Sequence, residues 1–275
     1  MATISSEQEL HPVAYDTLDG EFGKDRFIGI EIETVRNEGM LPKVDGVEWE
    51  TADAWRGMTT KEKEALNKIL DPSQRFIAMI GYDGGDIEVT TEPMSRAVTE
   101  SHPQFNEFLH NINRYCVTSE ASGTHVHVSQ LPKDNKNLWR NLYWFSVVYD
   151  KQLYSIFRRR STWALSPKEI LKTSHQKISI NDVAKMKYPC RGNKGTLIIK
   201  RANTYECRGG AASTETNEIK AWALMFWNIV ELCNQSTIVG HRFEEVLPDG
   251  NLGEMLKVRL TGEQLRQICP IDLYL

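Results

Sequence analysis

Residues 27–34, Phe27-Ile28-Gly29-Ile30-Glu31-Ile32-Glu33-Thr34, are rich in β-branched side chains and alternate strictly after Gly29. That period of two predicts a strand with Ile30 and Ile32 on one face and Glu31 and Glu33 on the other. Three later segments repeat the pattern. Ile87 and Val89 oppose Asp86 and Glu88, Val126 and Val128 oppose His125 and His127, and Tyr205 and Cys207 oppose Glu206 and Arg208. Residues i and i+2 of a strand point the same way, so each segment presents functional groups as a pair. The four together predict a sheet with one apolar face and one face of acids, imidazoles and a guanidinium.

Helical periodicity fills the intervals. Helices are predicted near 60–70, stopped by Asp71-Pro72, and over 103–115, where Phe105, Phe108, Leu109 and Ile112 follow the i, i+3, i+4, i+7 spacing. One long helix is expected over about 135–159, apolar around most of its girth through Leu138, Trp139, Leu142, Trp144, Phe145, Val148, Tyr149 and Leu153. Another covers 215–234. Ser166-Pro167-Lys168-Glu169 has the form of a helix start. Hairpins are expected over 76–91, turned at Asp83-Gly84-Gly85, and over 195–208, turned at Ala202-Asn203. A weak strand near 256–260 and a short helix near 262–268 close the reading. Antiparallel strands alternating with long helices predict an α+β fold.

The chain has 275 residues, 25% charged and 40% hydrophobic, with a formal net charge of −4. That composition fits a globular enzyme and excludes a disordered chain. It carries no general pull towards nucleic acid or anionic membrane. No apolar run approaches a membrane span, and the N-terminus lacks the basic and apolar regions of a signal peptide. Five cysteines, widely spaced and without a CxxC, predict reduced thiols and a cytoplasmic location. Residues 1–26 read as a polar lead-in and 27–275 as a single catalytic domain, with an irregular insertion at about 36–58 holding Trp49 and Trp55.

Solvated strand faces favour Lys, Thr and Ser, whereas these strands carry carboxylates and imidazoles, the donors that bind divalent cations. Opposed carboxylates on neighbouring strands repel unless a cation neutralises them. Because carboxylates outnumber imidazoles, Mg²⁺ or Mn²⁺ is expected ahead of Zn²⁺. Carboxylate-held Mg²⁺ facing an arginine is the equipment of phosphoryl transfer, and the absence of a GxxxxGK[ST] loop excludes the P-loop manner of holding ATP.

The ordered set Gly29-Ile30-Glu31-Ile32-Glu33, Asp83 to Glu88, Ser122-Gly123-Thr124-His125-Val126-His127-Val128-Ser129 and Glu206-Cys207-Arg208 resembles the glutamine synthetase and γ-glutamylcysteine synthetase superfamily. Within it, the short amidoligases of phages and bacterial gene clusters are the nearest resemblance, running from residue 27 to about 234. The resemblance implies a curved antiparallel sheet packed on long helices by one face, with the active site on the concave face. It implies an ATP-dependent, ADP-forming carboxylate–amine ligase that works through an acyl phosphate. Glu31, Glu33, Glu88, His125 and Glu206 would be metal ligands. His127 and Ser129 would lie beside ATP, and Arg208 would hold the γ-phosphate and then the acyl phosphate. Asp83 or Asp86 would join Glu88 in contacting substrate. A further cation is expected from Lys187, Arg191 or Arg201. The implied partners are small-molecule or peptide carboxylates and amines, with a modified nucleic-acid base also within the chemistry and no membrane. The subunit-bridging N-terminal domain of glutamine synthetase is absent, so that oligomer is not implied. Two other classes compete: a metal-dependent hydrolase using His125 and His127, and a catalytically silent, ligase-derived binding or structural protein.

Overall fold

The computed structural model describes residues 23–49, 58–83, 86–157 and 197–235. Seven strands form one antiparallel sheet among these residues. They are β1 (Ile28–Arg36), β2 (Ile77–Asp83), β3 (Asp86–Thr91), β4 (Cys116–Val117), β5 (Gly123–Ser129), β6 (Ile198–Lys200) and β7 (Thr204–Ala211). Their order is β2-β3-β1-β5-β7-β6, and the two-residue β4 pairs with the end of β1. The helices are α1 (Thr60–Leu70), α2 (Arg96–Ser101), α3 (Pro103–Tyr115), α4 (Leu138–Val148), α5 (Asp150–Phe157) and α6 (Thr216–Gln235). The architecture is a mixed α and β fold around an open antiparallel sheet.

The alternating residues divide as their chemistry requires. Ile28, Ile30, Ile32, Val89, Val126, Val128 and Cys207 are buried in one continuous core with Phe105, Phe108, Leu142, Trp222 and Phe226. Burying one such side chain fully contributes about 1.5–3 kcal/mol, so the apolar face dictates which way each strand turns. A slip of one residue would place Glu31 and His125 in that core. Helix α6 packs on β5 and β1, and α4 packs on α6 and β6. Trp139 stacks on Tyr205 with rings 6.4 Å apart and 12° from parallel, and the Trp222 indole donates to the Ile156 carbonyl at 3.2 Å. Both tryptophans are core residues, as helical spacing predicts.

α1 begins with a capping box, Glu62 N–H donating to Thr59 Oγ1 at 3.2 Å and Thr59 N–H to Glu62 Oε2 at 2.6 Å. The segment expected as one helix over 135–159 is two within its described part, because the chain leaves helical geometry at Tyr149 (ψ 21°). The β-branched pair Val147-Val148 immediately before it weakens helical preference there. Strand β7 extends three residues beyond the predicted hairpin arm. A bulge between its Cys207 and Gly210 sets two residues against His125. Gly210 is required at that point, since an added Cβ would lie 2.4 Å from the Thr124 carbonyl oxygen. Part of the 36–58 insertion is described, and Trp49 is tied into it by an indole hydrogen bond of 2.8 Å to the Pro42 carbonyl.

Cys116, Cys207 and Cys233 are buried and free. Burial pushes the Cys116 thiol up to about 11. These are core residues rather than nucleophiles. The helix start at 166–169, the turn at Gly84-Gly85 and the 256–268 elements lie outside the described residues, as do Trp55 and nearly all of the lead-in.

Candidate metal centre

The polar face gathers at three central strands. In the β1–β5 register Glu31 lies opposite His125, and in the β5–β7 register His127 lies opposite Glu206. The Glu31 carboxylate spans both imidazoles: Oε2 is 2.9 Å from His125 Nδ1 and Oε1 is 2.9 Å from His127 Nε2. Glu206 is wholly buried, its Oε1 3.8 Å from His125 Nδ1 and 3.4 Å from Arg208 Nε. Its other oxygen accepts a short hydrogen bond from Arg201 Nε. Glu33 Oε1 stands 3.6 Å from His125 Nε2. Next along, Glu88 lies opposite Glu33 in the β1–β3 register and accepts from Thr90 Oγ1 at 3.2 Å.

The electrostatics follow from this crowding. Burial alone would raise the Glu31 carboxyl, but the His127 and His125 imidazoles hold it well below the usual carboxylate range. Burial works against a charged His127, yet the Glu31 and Glu206 carboxylates more than offset it and push its pKa up to about 9. Glu88 shifts the other way: burial and then the charge of Glu31 raise it.

The donor set fits a divalent cation. One ligand atom each from Glu31, His127 and Glu206 lie within 4.8 Å of one another. His127 Nε2 and Glu206 Oε1 are buried without an aligned hydrogen bond. Buried polar atoms left in that state cost about 1–3 kcal/mol each, and a cation bound between them, displacing the His127 proton, would satisfy both. Two carboxylates and one imidazole with no thiolate are hard and borderline donors that suit Mg²⁺ or Mn²⁺.

Of the residues singled out from sequence, Glu31, Glu33, Glu88, His125, His127, Glu206, Arg201 and Arg208 come together on this face. The three-ligand set contains His127, whereas His125 stands at its side, held by Glu31. Ser129 uses its hydroxyl to accept the Phe27 N–H at 2.8 Å, fastening the start of β1 to the end of β5. Asp83 and Asp86 close the β2–β3 pairing opposite one another. Arg191 and Lys187 lie outside the described residues, so of the three competing cations the site is seen to contain Arg201. Sequence reading missed Thr204 and Gln130, which flank the face and carry no periodic signal of their own. No described helix is long and apolar enough to cross a membrane.

Neither a protein-family model nor a curated protein matches the chain. Among solved structures, apo GmaS without ligand is similar at a TM-score of 0.40 and 12% identity, over 90% of this chain and 66% of that one. This chain therefore spans just under two thirds of that protein's length, and a likeness of this degree carries no weight for fold or chemistry.

Proposed function

We propose that the chain is an ATP-dependent carboxylate–amine ligase. The observation that carries this reading is the adjacency of a cation-binding set (Glu31, His127, Glu206) and two guanidiniums (Arg201, Arg208) that share Glu206 as their partner. A face that binds a cation and an anion side by side is suited to a metal-complexed phosphate. The resemblance of the Glu-x-Glu, Ser-Gly-x-His-x-His-x-Ser and Glu-x-Arg segments to the amidoligases supports the same reading.

Mg²⁺, when bound, would neutralise phosphate charge. Glu31, His127 and Glu206 would hold it, with Glu33 and His125 beside them. Arg208 binds the γ-phosphate, and its fixed planar fork orients the group for transfer. A carboxylate oxygen of the first substrate attacks that phosphorus and ADP departs, leaving an acyl phosphate. The second substrate's amine then attacks the acyl carbon, phosphate leaves, and the nitrogen's proton is lost as the amide forms. Glu88, with Asp83 on the neighbouring strand, holds the amine. The activation is needed because a free carboxylate offers no group that an amine can displace, and the protein's contribution is positioning and charge neutralisation.

Incubation with ATP, Mg²⁺ and pools of amino acids and polyamines is expected to release ADP only when a suitable carboxylate and amine are both present. Calorimetry that detects no ATP binding in the presence of Mg²⁺ overturns the proposal.

A further inference from the structure

We propose that Thr204 is a positioning residue that fixes the ring of His127 so that Nε2 is delivered to the cation. The inference rests on the reading of Glu31, His127 and Glu206 as a ligand set. An imidazole has two nitrogens, and the one not used for the ligand decides how the ring sits. Here His127 Nδ1 lies 3.3 Å from Thr204 Oγ1, while Nε2 lies 2.9 Å from Glu31 Oε1. With Nδ1 turned to the hydroxyl, Nε2 is the nitrogen aimed at the carboxylates.

The hydroxyl is itself held. Threonine is β-branched and stiff at χ1. Its backbone is fastened at the β6–β7 turn, where Arg201 N–H donates to the Thr204 carbonyl at 2.8 Å. Gln130, just beyond β5, clamps the same turn: its Nε2 donates to the carbonyls of Arg201 at 2.8 Å and Thr204 at 3.1 Å. Its backbone N–H donates to the Asn203 carbonyl at 2.8 Å. The turn thus orients two ligands at once, His127 through the Thr204 hydroxyl and Glu206 through the Arg201 guanidinium.

The test is Mn²⁺ affinity, measured by calorimetry beside the thermal midpoint, for the intact chain and the variants Thr204→Val, Thr204→Ser and Glu31→Gln. Valine keeps the shape of threonine and removes the acceptor. It is expected to weaken Mn²⁺ binding by about 10–100-fold, the usual effect of losing an outer partner of a ligand, with the thermal midpoint preserved. Serine restores the hydroxyl and is expected to restore the affinity. Glu31→Gln reports on the ligand set itself. If Glu31→Gln loses Mn²⁺ while Thr204→Val binds as the intact chain does, the positioning role is overturned and the metal reading stands. An intact chain that binds no Mn²⁺ overturns the metal reading and this inference with it. Should Thr204→Val fail to fold, Thr204→Ala takes its place, and unchanged affinity there is equally fatal.

Discussion

Two residues before β1, Arg26 donates from all three of its guanidinium nitrogens, to the Ser129 carbonyl, to both oxygens of Asp134 and to Glu231 on α6. Five residues further along, Glu31 enters a cluster where carboxylates outnumber guanidiniums and the buried polar atoms His127 Nε2 and Glu206 Oε1 lack an aligned hydrogen bond. Each cluster centres on a buried group, Arg26 in the first and Glu206 in the second, and both tie distant parts of the chain together. The first is closed: one cation meets two acids and a carbonyl, and Asp134 also accepts the Leu131 N–H at 2.8 Å. The second is open, with Glu31, Glu33, Glu88 and Glu206 facing two arginines and two imidazoles. A closed ionic cluster pins a fold, whereas an open one leaves ligand atoms for something that comes and goes.

Removing a member of each cluster separates these roles. Arg26→Met strands Asp134 and Glu231 without their cation, and urea denaturation is expected to show a loss of about 3–5 kcal/mol, the scale for breaking a buried pair. In the open cluster the largest effect should fall on turnover. Arg208→Lys keeps the charge but loses the planar fork, and ADP release is expected to drop about 10²–10³-fold with nucleotide binding retained. Near-full turnover in that variant removes Arg208 from the chemistry. Glu206→Gln is expected to cost stability less than Arg26→Met, because the amide can still accept from Arg201 and Arg201 reaches solvent. It should weaken Mn²⁺ binding by more than about 100-fold, beyond the roughly 10–100-fold that losing an outer partner causes. A thermal midpoint that falls as far as that of Arg26→Met would make the second cluster a structural pin too.

The pH dependence has a smaller effect and a definite sign. His127 is raised from 6.5 to about 9, so the stability it contributes without metal is complete below its ordinary pKa and is lost as pH rises through about 9. Glu31 is lowered, so its contribution is present above the ordinary carboxylate range and is lost as pH falls below it. Metal must displace the His127 proton, so Mn²⁺ affinity is expected to rise about tenfold per pH unit between 7 and 9 and then level off. Calorimetry in buffers of different ionisation enthalpy would count the released proton.

How much of this could be read from the sequence depends on range. The paired faces of β1, β3, β5 and β7 were legible because a period of two is written locally, and so was α3 with its four phenylalanine, leucine and isoleucine positions. The break at Tyr149 was not, since apolar residues continue on both sides of it. The Arg26 cluster had no local signal: Arg26 is 108 residues from Asp134 and 205 from Glu231. The candidate site was legible as a list of residues and not as an arrangement. His125 and His127 are equivalent in sequence, and only the register with β7 and the orientation of each ring draw His127 to Glu206. Thr204 is one threonine among many until the hairpin brings its hydroxyl to His127.

The chemistry proposed for the polar face depends first on where a cation binds. Mn²⁺ broadens nearby nuclear resonances, so its titration can be followed on the imidazole signals of the described histidines. The His127 and His125 signals are expected to vanish first and at substoichiometric Mn²⁺, while those of His102, at the N-cap position of α3 with its ring against Phe76, and His110, beside Thr216, persist. If His127 and His125 keep their signals, or all four histidines fade together, the polar face of the sheet is not a metal centre.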